Sequence, residues 1–222
     1  NVVRVLPSLP GYVYSRAADR VFVNLYVGGK GTVPVDGGDI IIQQETRYPW
    51  DGDVRLLLEM ASPIEFELNL RIPDWCADSR IRVNNEPVER LDLSRGYARV
   101  RRVWRPGDTI DLTLPMEVRR VESHPLVAAN QGRVALQRGP VVYCFEGTDN
   151  EGRVDDIVLP KHAEFAAEFV PSLLGGVVVV KTRSVDGRSI TAIPYHAWDH
   201  REAGPMAVWV RQEAKSAEAD PT

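Results

Sequence analysis

Cysteine is nearly missing from this chain: 222 residues contain only Cys76 and Cys144. Two cysteines cannot make a disulfide framework, and neither sits in a Cys-x-x-Cys or Cys-x-His pair that would suggest zinc. Lysine is scarce, four residues against 23 arginines, which a GC-rich coding bias explains more simply than selection for anion contacts. Excess positive charge is absent too. The formal net charge is −4, which argues against a nucleic-acid partner. Long apolar runs are missing: the longest, residues 173–180, falls far short of the ~20 residues a membrane helix needs, so no membrane partner is expected. No Gly-x-Ser-x-Gly elbow, phosphate-cradling loop, dinucleotide fingerprint or internal repeat occurs. Neither a signal peptide nor an initiator Met is present, so the cellular location stays open, a cytoplasmic one being favoured over a secreted one.

What remains is the composition of a folded protein. Hydrophobic residues make up 44% and charged residues 26%, which excludes disorder throughout. The length suits one large domain or two small ones. Val2, Val5, Leu6 and Leu9 share one face at helical spacing. Pro7 and Pro10 forbid a long regular helix there, so residues 1–19 read as the tail of a helix. From residue 20 the period changes to two. Ile64, Phe66, Leu68 and Leu70 alternate with Glu65, Glu67 and Asn69, which predicts a strand with one wet face. Val54 to Met60 and Ile110 to Leu114 repeat the pattern. Asn84-Asn85 and Pro106-Gly107 supply turns. In the second half, Arg133–Gln137, Val141–Phe145, Val177–Lys181, Ser189–Tyr195 and Met206–Val210 read as strands. The only long lapse, Glu122 to Asn130, is the expected linker. The spacing predicts an all-β chain of two consecutive antiparallel β-sandwiches, 20–120 and 121–211, with a short N-terminal helical stub. The small polar residues 212–222 predict a disordered tail.

Few residues suggest chemistry. His196 and His200 would share a face of a helix, but Pro194 and the strand pattern before them make two loop histidines the simpler reading. Asp149-Asn150-Glu151-Gly152 with Asp155-Asp156 is rich in the hard oxygen ligands calcium takes. The EF-hand spacing is absent, and an ordinary turn accounts for it. Carboxylates are plentiful, yet no sequence rule places two of them the ~5–9 Å apart that a glycosidase needs. No catalytic or metal-binding residue is therefore assigned. Aromatics remain. Tyr48-Pro49-Trp50-Asp51-Gly52 is an aromatic turn, and Trp75, Trp104, Trp198 and Trp209 fall near strand ends. Flat rings on a sandwich can stack on sugars; filling core ends and inter-domain contacts is their simpler use. Tyr48, Trp50 and Trp198 are the candidates for either role.

Six stretches, in order, carry a resemblance. They are Asn1 with the helix tail to Ser8-Leu9-Pro10-Gly11-Tyr12-Val13-Tyr14; Val23-Asn24-Leu25-Tyr26-Val27; Gln44-Glu45-Thr46-Arg47-Tyr48-Pro49-Trp50-Asp51-Gly52; Leu70-Arg71-Ile72-Pro73-Asp74-Trp75; Gly132 to Cys144; and Ile193-Pro194-Tyr195-His196-Ala197-Trp198. Together they resemble the C-terminal part of glycoside hydrolase family 127, the β-L-arabinofuranosidase family, from residue 1 to about residue 211. The resemblance implies an (α/α)6 barrel followed by two β-sandwiches. It places the active site in the barrel: a cysteine nucleophile, a zinc held by further cysteines and a glutamate, and an acid/base carboxylate. Asn1 resembles the last residue of the family's Cys-Cys-Pro-Pro-Asn motif, so the expected catalytic groups precede this chain. No functional residue of the family maps onto it, and Cys76 and Cys144 fall in sandwich motifs. The chain is thus expected to be a non-catalytic C-terminal region. It would need no cofactor of its own, and zinc would belong to the absent barrel. Its expected partners are that barrel, a second copy in a homodimer and, for the parent, arabinose-containing glycans. The alternative is a carbohydrate-binding module for plant glycans.

Overall fold

The computed structural model describes residues 2–214. The chain divides between Met116 and Glu117 into two compact units.

The first unit opens with three short helical pieces, Val2–Val5, Leu6–Ser8 and Pro10–Val13. Pro7 and Pro10 each lack the N–H that would continue a helix, and each stands in the first turn of a new piece. No residue of the three is buried. The stub ends sooner than the pattern predicts. Residues 14–17 are a strand, because Val13 already accepts the Asn24 N–H at 2.9 Å and the chain turns back at Ala18, whose φ is 52°.

Eleven strands follow: β1 Tyr14–Ala17, β2 Arg20–Val23, β3 Gly29–Val35, β4 Gly38–Thr46, β5 Asp53–Glu59, β6 Ile64–Arg71, β7 Arg80–Val83, β8 Glu86–Pro87, β9 Asp92–Ser94, β10 Tyr97–Trp104 and β11 Thr109–Thr113. They form two sheets, β1-β2-β6-β10-β9 and β3-β4-β5-β11-β7-β8. All pairs are antiparallel except β2 with β6. Side chains alternate across a strand, so each sheet offers one apolar face. Ile64, Phe66, Leu68 and Leu70 of one sheet meet Ile40, Ile42, Leu56 and Leu112 of the other in a single core. Trp104 is fully buried there, its indole N–H donating to the Phe66 carbonyl at 3.1 Å. The face expected to be wet is only partly so. Asn69 is buried, its amide donating to the Val21 carbonyl at 3.3 Å. Its register partner Phe22 meets Tyr97 edge-on at 5.4 Å on the neighbouring strands.

The second unit has nine strands: β12 Val118–Glu122, β13 Arg133–Arg138, β14 Val141–Glu146, β15 Val158–Leu159, β16 Ala166–Val170, β17 Val177–Arg183, β18 Ser189–Pro194, β19 Met206–Ala207 and β20 Val210–Gln212. Their hydrogen bonds form one continuous path, β15-β20-β13-β14-β18-β17-β16, with β12 on β13 and β19 on β14. The β15–β20 pair is parallel. The central strands are buried on both faces. Tyr143 and Phe145 enter one apolar cluster with Ile190 and Ala192, while Cys144, Val179 and Ile193 enter another.

Two boundaries move from their expected places. Residues 117–120 belong with the second unit, not the first, because β12 pairs with β13 from Val118↔Arg138 to Glu122↔Val134. The lapse after Glu122 is therefore a loop inside that unit. At the other end, Gln212 is a strand residue, and the Glu213 N–H donates to the Leu159 carbonyl at 2.9 Å. Most of the expected tail, residues 215–222, lies outside the described residues.

One contact sets a testable limit on the first core. Gly52 precedes β5, and its carbonyl accepts the Leu114 N–H at 2.9 Å. A Cβ at Gly52 would overlap the Leu114 carbonyl oxygen and stand 2.8 Å from the carbonyl carbon. Backbone cannot swing aside as a side chain can. Gly52→Ala is expected to lower stability by about 1–3 kcal/mol or more, read as a shifted denaturation midpoint. A midpoint equal to that of the parent chain would contradict the packing described.

Candidate functional site

The three aromatic candidates fall in different surroundings. The β4–β5 turn presents Tyr48 and Trp50. The Thr46 hydroxyl accepts the Tyr48 N–H at 2.9 Å and donates to the Asp53 carbonyl at 2.7 Å. The Trp50 N–H donates to the Arg47 carbonyl at 2.9 Å, and Arg47 pairs with Asp51 at 2.7 Å. The Tyr48–Pro49 peptide is cis. Tyr48 turns inward: it packs on the first core and meets Tyr26 edge-on at 5.9 Å. Burial pushes both phenols above their ordinary pKa. Trp50 turns outward and is 54% exposed.

Trp198 lies in the second unit, after β18, and it has a companion. Tyr195–Ala197 is a single 3-10 turn, and the Trp198 N–H donates to the Tyr195 carbonyl at 3.2 Å. A 3-10 helix has three residues per turn, so positions i and i+3 eclipse. The Tyr195 and Trp198 rings accordingly stack, 6.0 Å between centroids and 14° from parallel. Ala197 between them is buried in the core and anchors the turn.

The loop that carries this pair is held by a largely buried ionic cluster. Arg201 donates to Asp149 at 2.8 Å and 2.5 Å and also to the Glu146 carboxylate. The second Glu146 oxygen accepts the Asp199 N–H at 3.0 Å. Asp199 sits at φ 63°, a left-handed conformation that this hydrogen bond holds in place. The adjacent Asn150 is 1% exposed and ties the turn after β14 to β18 through the Glu146 carbonyl and both backbone groups of Thr191. The two carboxylates raise the Arg201 pKa, hydrogen bonding to Asp149 most of all. The oxygen-rich stretch 149–156 is thus drawn into arginine pairs: Asp149 with Arg201, and Asp156 with Arg153 and Arg188. Sequence reasoning took Trp198 and missed Tyr195, Glu146 and Arg201. The Tyr-x-x-Trp spacing after a proline was the available signal.

Neither cysteine has the surroundings of a nucleophile or a ligand. Both are free and buried. Burial, and then the Glu146 and Asp149 charges, push the Cys144 thiol up to about 12. A metal-bound or attacking sulfur is instead a thiolate with a lowered pKa. Among the described residues, no three His, Cys, Asp or Glu side chains gather where they could hold a metal ion. His200 is a loop residue, as expected, while His196 falls inside the 3-10 turn. An open groove of about 780 Å³ runs along His162, Glu164, Phe165, Lys181, Arg183 and Thr191. Its Thr182 hydroxyl already donates to the Glu164 carbonyl at 2.7 Å. No helix among the described residues is long and apolar enough to cross a membrane.

The division of the chain has a close counterpart in known proteins. Residues 20–116 match the β-L-arabinofuranosidase GH127 middle domain, and residues 118–211 match the glycoside hydrolase family 127 C-terminal domain. The chain belongs to glycoside hydrolase family 127. It is 30% identical to a non-reducing end β-L-arabinofuranosidase of Bifidobacterium longum subsp. longum, over 96% of this chain and 36% of that protein. The crystal structure of Ara127N-Se, a GH127 β-L-arabinofuranosidase from Geobacillus stearothermophilus T6, superposes with a TM-score of 0.87 at 42% identity. That match covers 96% of this chain and 37% of the other. The GH127 β-arabinofuranosidase BT3674 gives 0.85 at 38% identity, over 96% and 38% of the two chains. The family 127 chain therefore spans little more than a third of the length of these relatives.

The Cys144 thiol makes a prediction with a definite sign. Folding holds its proton more tightly than the unfolded chain does. That stabilisation is complete below the ordinary thiol value of 9.0 and is lost as the pH climbs from there to about 12. Denaturation midpoints of the second unit are expected to fall across that window. Iodoacetamide at pH 8 is expected to label neither cysteine until denaturant is added. Rapid labelling of the native chain would contradict the burial.

Proposed function

We propose that this chain is the non-catalytic C-terminal region of a retaining glycoside hydrolase that cleaves β-L-arabinofuranosides, and that it supports the catalytic barrel of its parent. One observation carries the reading. The family's middle and C-terminal domains meet where the structure divides, at 116–118, while the relatives run far beyond what these two units cover. Their additional length is more than enough for a separate catalytic domain.

The residues present do not fit the zinc of the family. Its thiolate donors have no equivalent in Cys76 and Cys144, which are buried in separate units and raised in pKa by that burial. Nucleophile, zinc ligands and acid/base carboxylate belong to the parent's barrel on this reading, and no step of the reaction is assigned here.

The helical stub supports the reading from another side. Val2, Val5, Leu6 and Leu9 are all exposed. Apolar faces of this kind are covered in a working protein or drive association when left bare. Barrel helices preceding the stub would cover them. The same face would also serve a homodimer of the parent.

The purified chain is expected to leave p-nitrophenyl β-L-arabinofuranoside intact, with or without added zinc. It is also expected to self-associate on a sizing column. Val5→Ser with Leu6→Ser should reduce that association while far-UV circular dichroism stays unchanged. Zinc-dependent turnover abolished by Cys144→Ala would overturn the proposal.

A further inference from the structure

The ring pair of Tyr195 and Trp198 has properties that barrel support does not require. Tyr195 is 46% exposed and Trp198 38% exposed. The rings are nearly parallel, with 6.0 Å between centroids. Two such rings present an aromatic surface whose faces are apolar and electron-rich. The axial C–H groups on one face of a sugar ring are a match for that surface.

What surrounds the rings decides between a sugar and another protein surface. His196, Asp199, His200 and Glu202 are all exposed. The core of a protein–protein contact is depleted of such charged groups, because burying them unpaired is costly. A sugar has the opposite need. Its hydroxyls want donors and acceptors at the edge of an apolar platform, the mixture that small-molecule sites provide. His200 is set for this. Its Nδ1 lies 2.8 Å from the Trp198 carbonyl oxygen, which can only accept. Nδ1 must therefore carry the proton and donate, and in the neutral ring Nε2 is left as an acceptor.

The platform is also fixed in place. A flexible aromatic loop loses ordering entropy when it binds; a rigid one does not. Ala197 is buried beneath the turn, Glu146 holds the Asp199 N–H, and Arg201 clamps the same loop to Glu146 and Asp149. Gly147 adds a backbone tie further along the loop, its N–H donating to the Pro205 carbonyl at 2.8 Å. A Cβ at Gly147 would stand 2.9 Å from the Pro205 ring.

We propose that Tyr195 and Trp198 form a sugar-stacking subsite on the second unit, with His200 and Asp199 at its rim for the hydroxyls, and that it takes an arabinose residue of the parent's glycan. The choice of sugar rests on the function proposed above; the platform itself does not.

The test is a titration of the 222-residue chain with linear arabino-oligosaccharides and, separately, with galacto- and xylo-oligosaccharides. Binding is followed by isothermal calorimetry and tryptophan fluorescence. Trp198→Ala, Tyr195→Ala and Trp50→Ala chains are compared, with circular dichroism to confirm that each is folded. The expected result is binding of the arabino-oligosaccharide that weakens at least tenfold in Trp198→Ala and in Tyr195→Ala and is unchanged in Trp50→Ala. Trp198-dependent binding of a galactan or xylan fragment alone would support the platform and overturn the arabinofuranoside reading of the parent. No sugar response, or a response that Trp198→Ala leaves intact, would overturn the platform while leaving the support role standing. A third arm uses the full-length parent. If Trp198→Ala lowers its Tm by several degrees and no sugar protects the ring from oxidation by N-bromosuccinimide, the ring is a packing contact and the proposal fails.

Discussion

Two carboxylates, Glu146 and Asp149, share one guanidinium, that of Arg201, and the loop after β18 depends on it. A buried carboxylate without a partner is costly, and removing one member of such a cluster typically loses about 3–5 kcal/mol. The loop after β18 therefore cannot lift away without stranding two negative charges. Because it stays down, Asp199 keeps its left-handed backbone, and Tyr195 and Trp198 keep their parallel rings. The same two charges help keep Cys144 protonated. A polar cluster thus makes an apolar platform rigid and a nearby cysteine inert.

The first unit shows the complementary arrangement. Its stability rests on one apolar layer between two sheets, with Trp104 and Phe66 at the centre. Its polar exceptions reach across to neighbouring strands: Asn69 donates to the Val21 carbonyl, and Gln44 donates to the Leu25 carbonyl and the Tyr14 hydroxyl while its Oε1 stays without a partner among the described residues. Tyr48, offered by the sequence as a sugar contact, is spent mainly on this core, while Trp50 beside it faces outward.

Much of this was legible in the sequence because period-two burial writes itself plainly. Ile64, Phe66, Leu68 and Leu70 read as one buried face and are one. Asn84-Asn85 and Pro106-Gly107 read as turns, and Asn84, Asn85 and Gly107 adopt the positive φ those turns need. The failures have physical causes. β12 is short and two of its five residues are arginine, so it joined the wrong side of the boundary; only its pairing with β13 reveals where it belongs. β16 has no buried residue and hence no alternation to read. Asn69 looked solvent-facing because its register partner Phe22 and its acceptor, the Val21 carbonyl, lie on a strand distant in sequence. The candidate site was half legible. Trp198 stood out as an aromatic, but the Arg201 cluster brings together residues some 50 positions apart, a relation that no local pattern carries.

The central claim is that these two units support a catalytic domain they do not contain. The direct measurement compares the full-length parent with a version lacking residues 1–222, by thermal unfolding and by hydrolysis of a β-L-arabinofuranoside. The account expects the shortened protein to be markedly less stable and less active, and to recover at least part of both when this chain is added in trans. A shortened protein as stable and as active as the whole would contradict it.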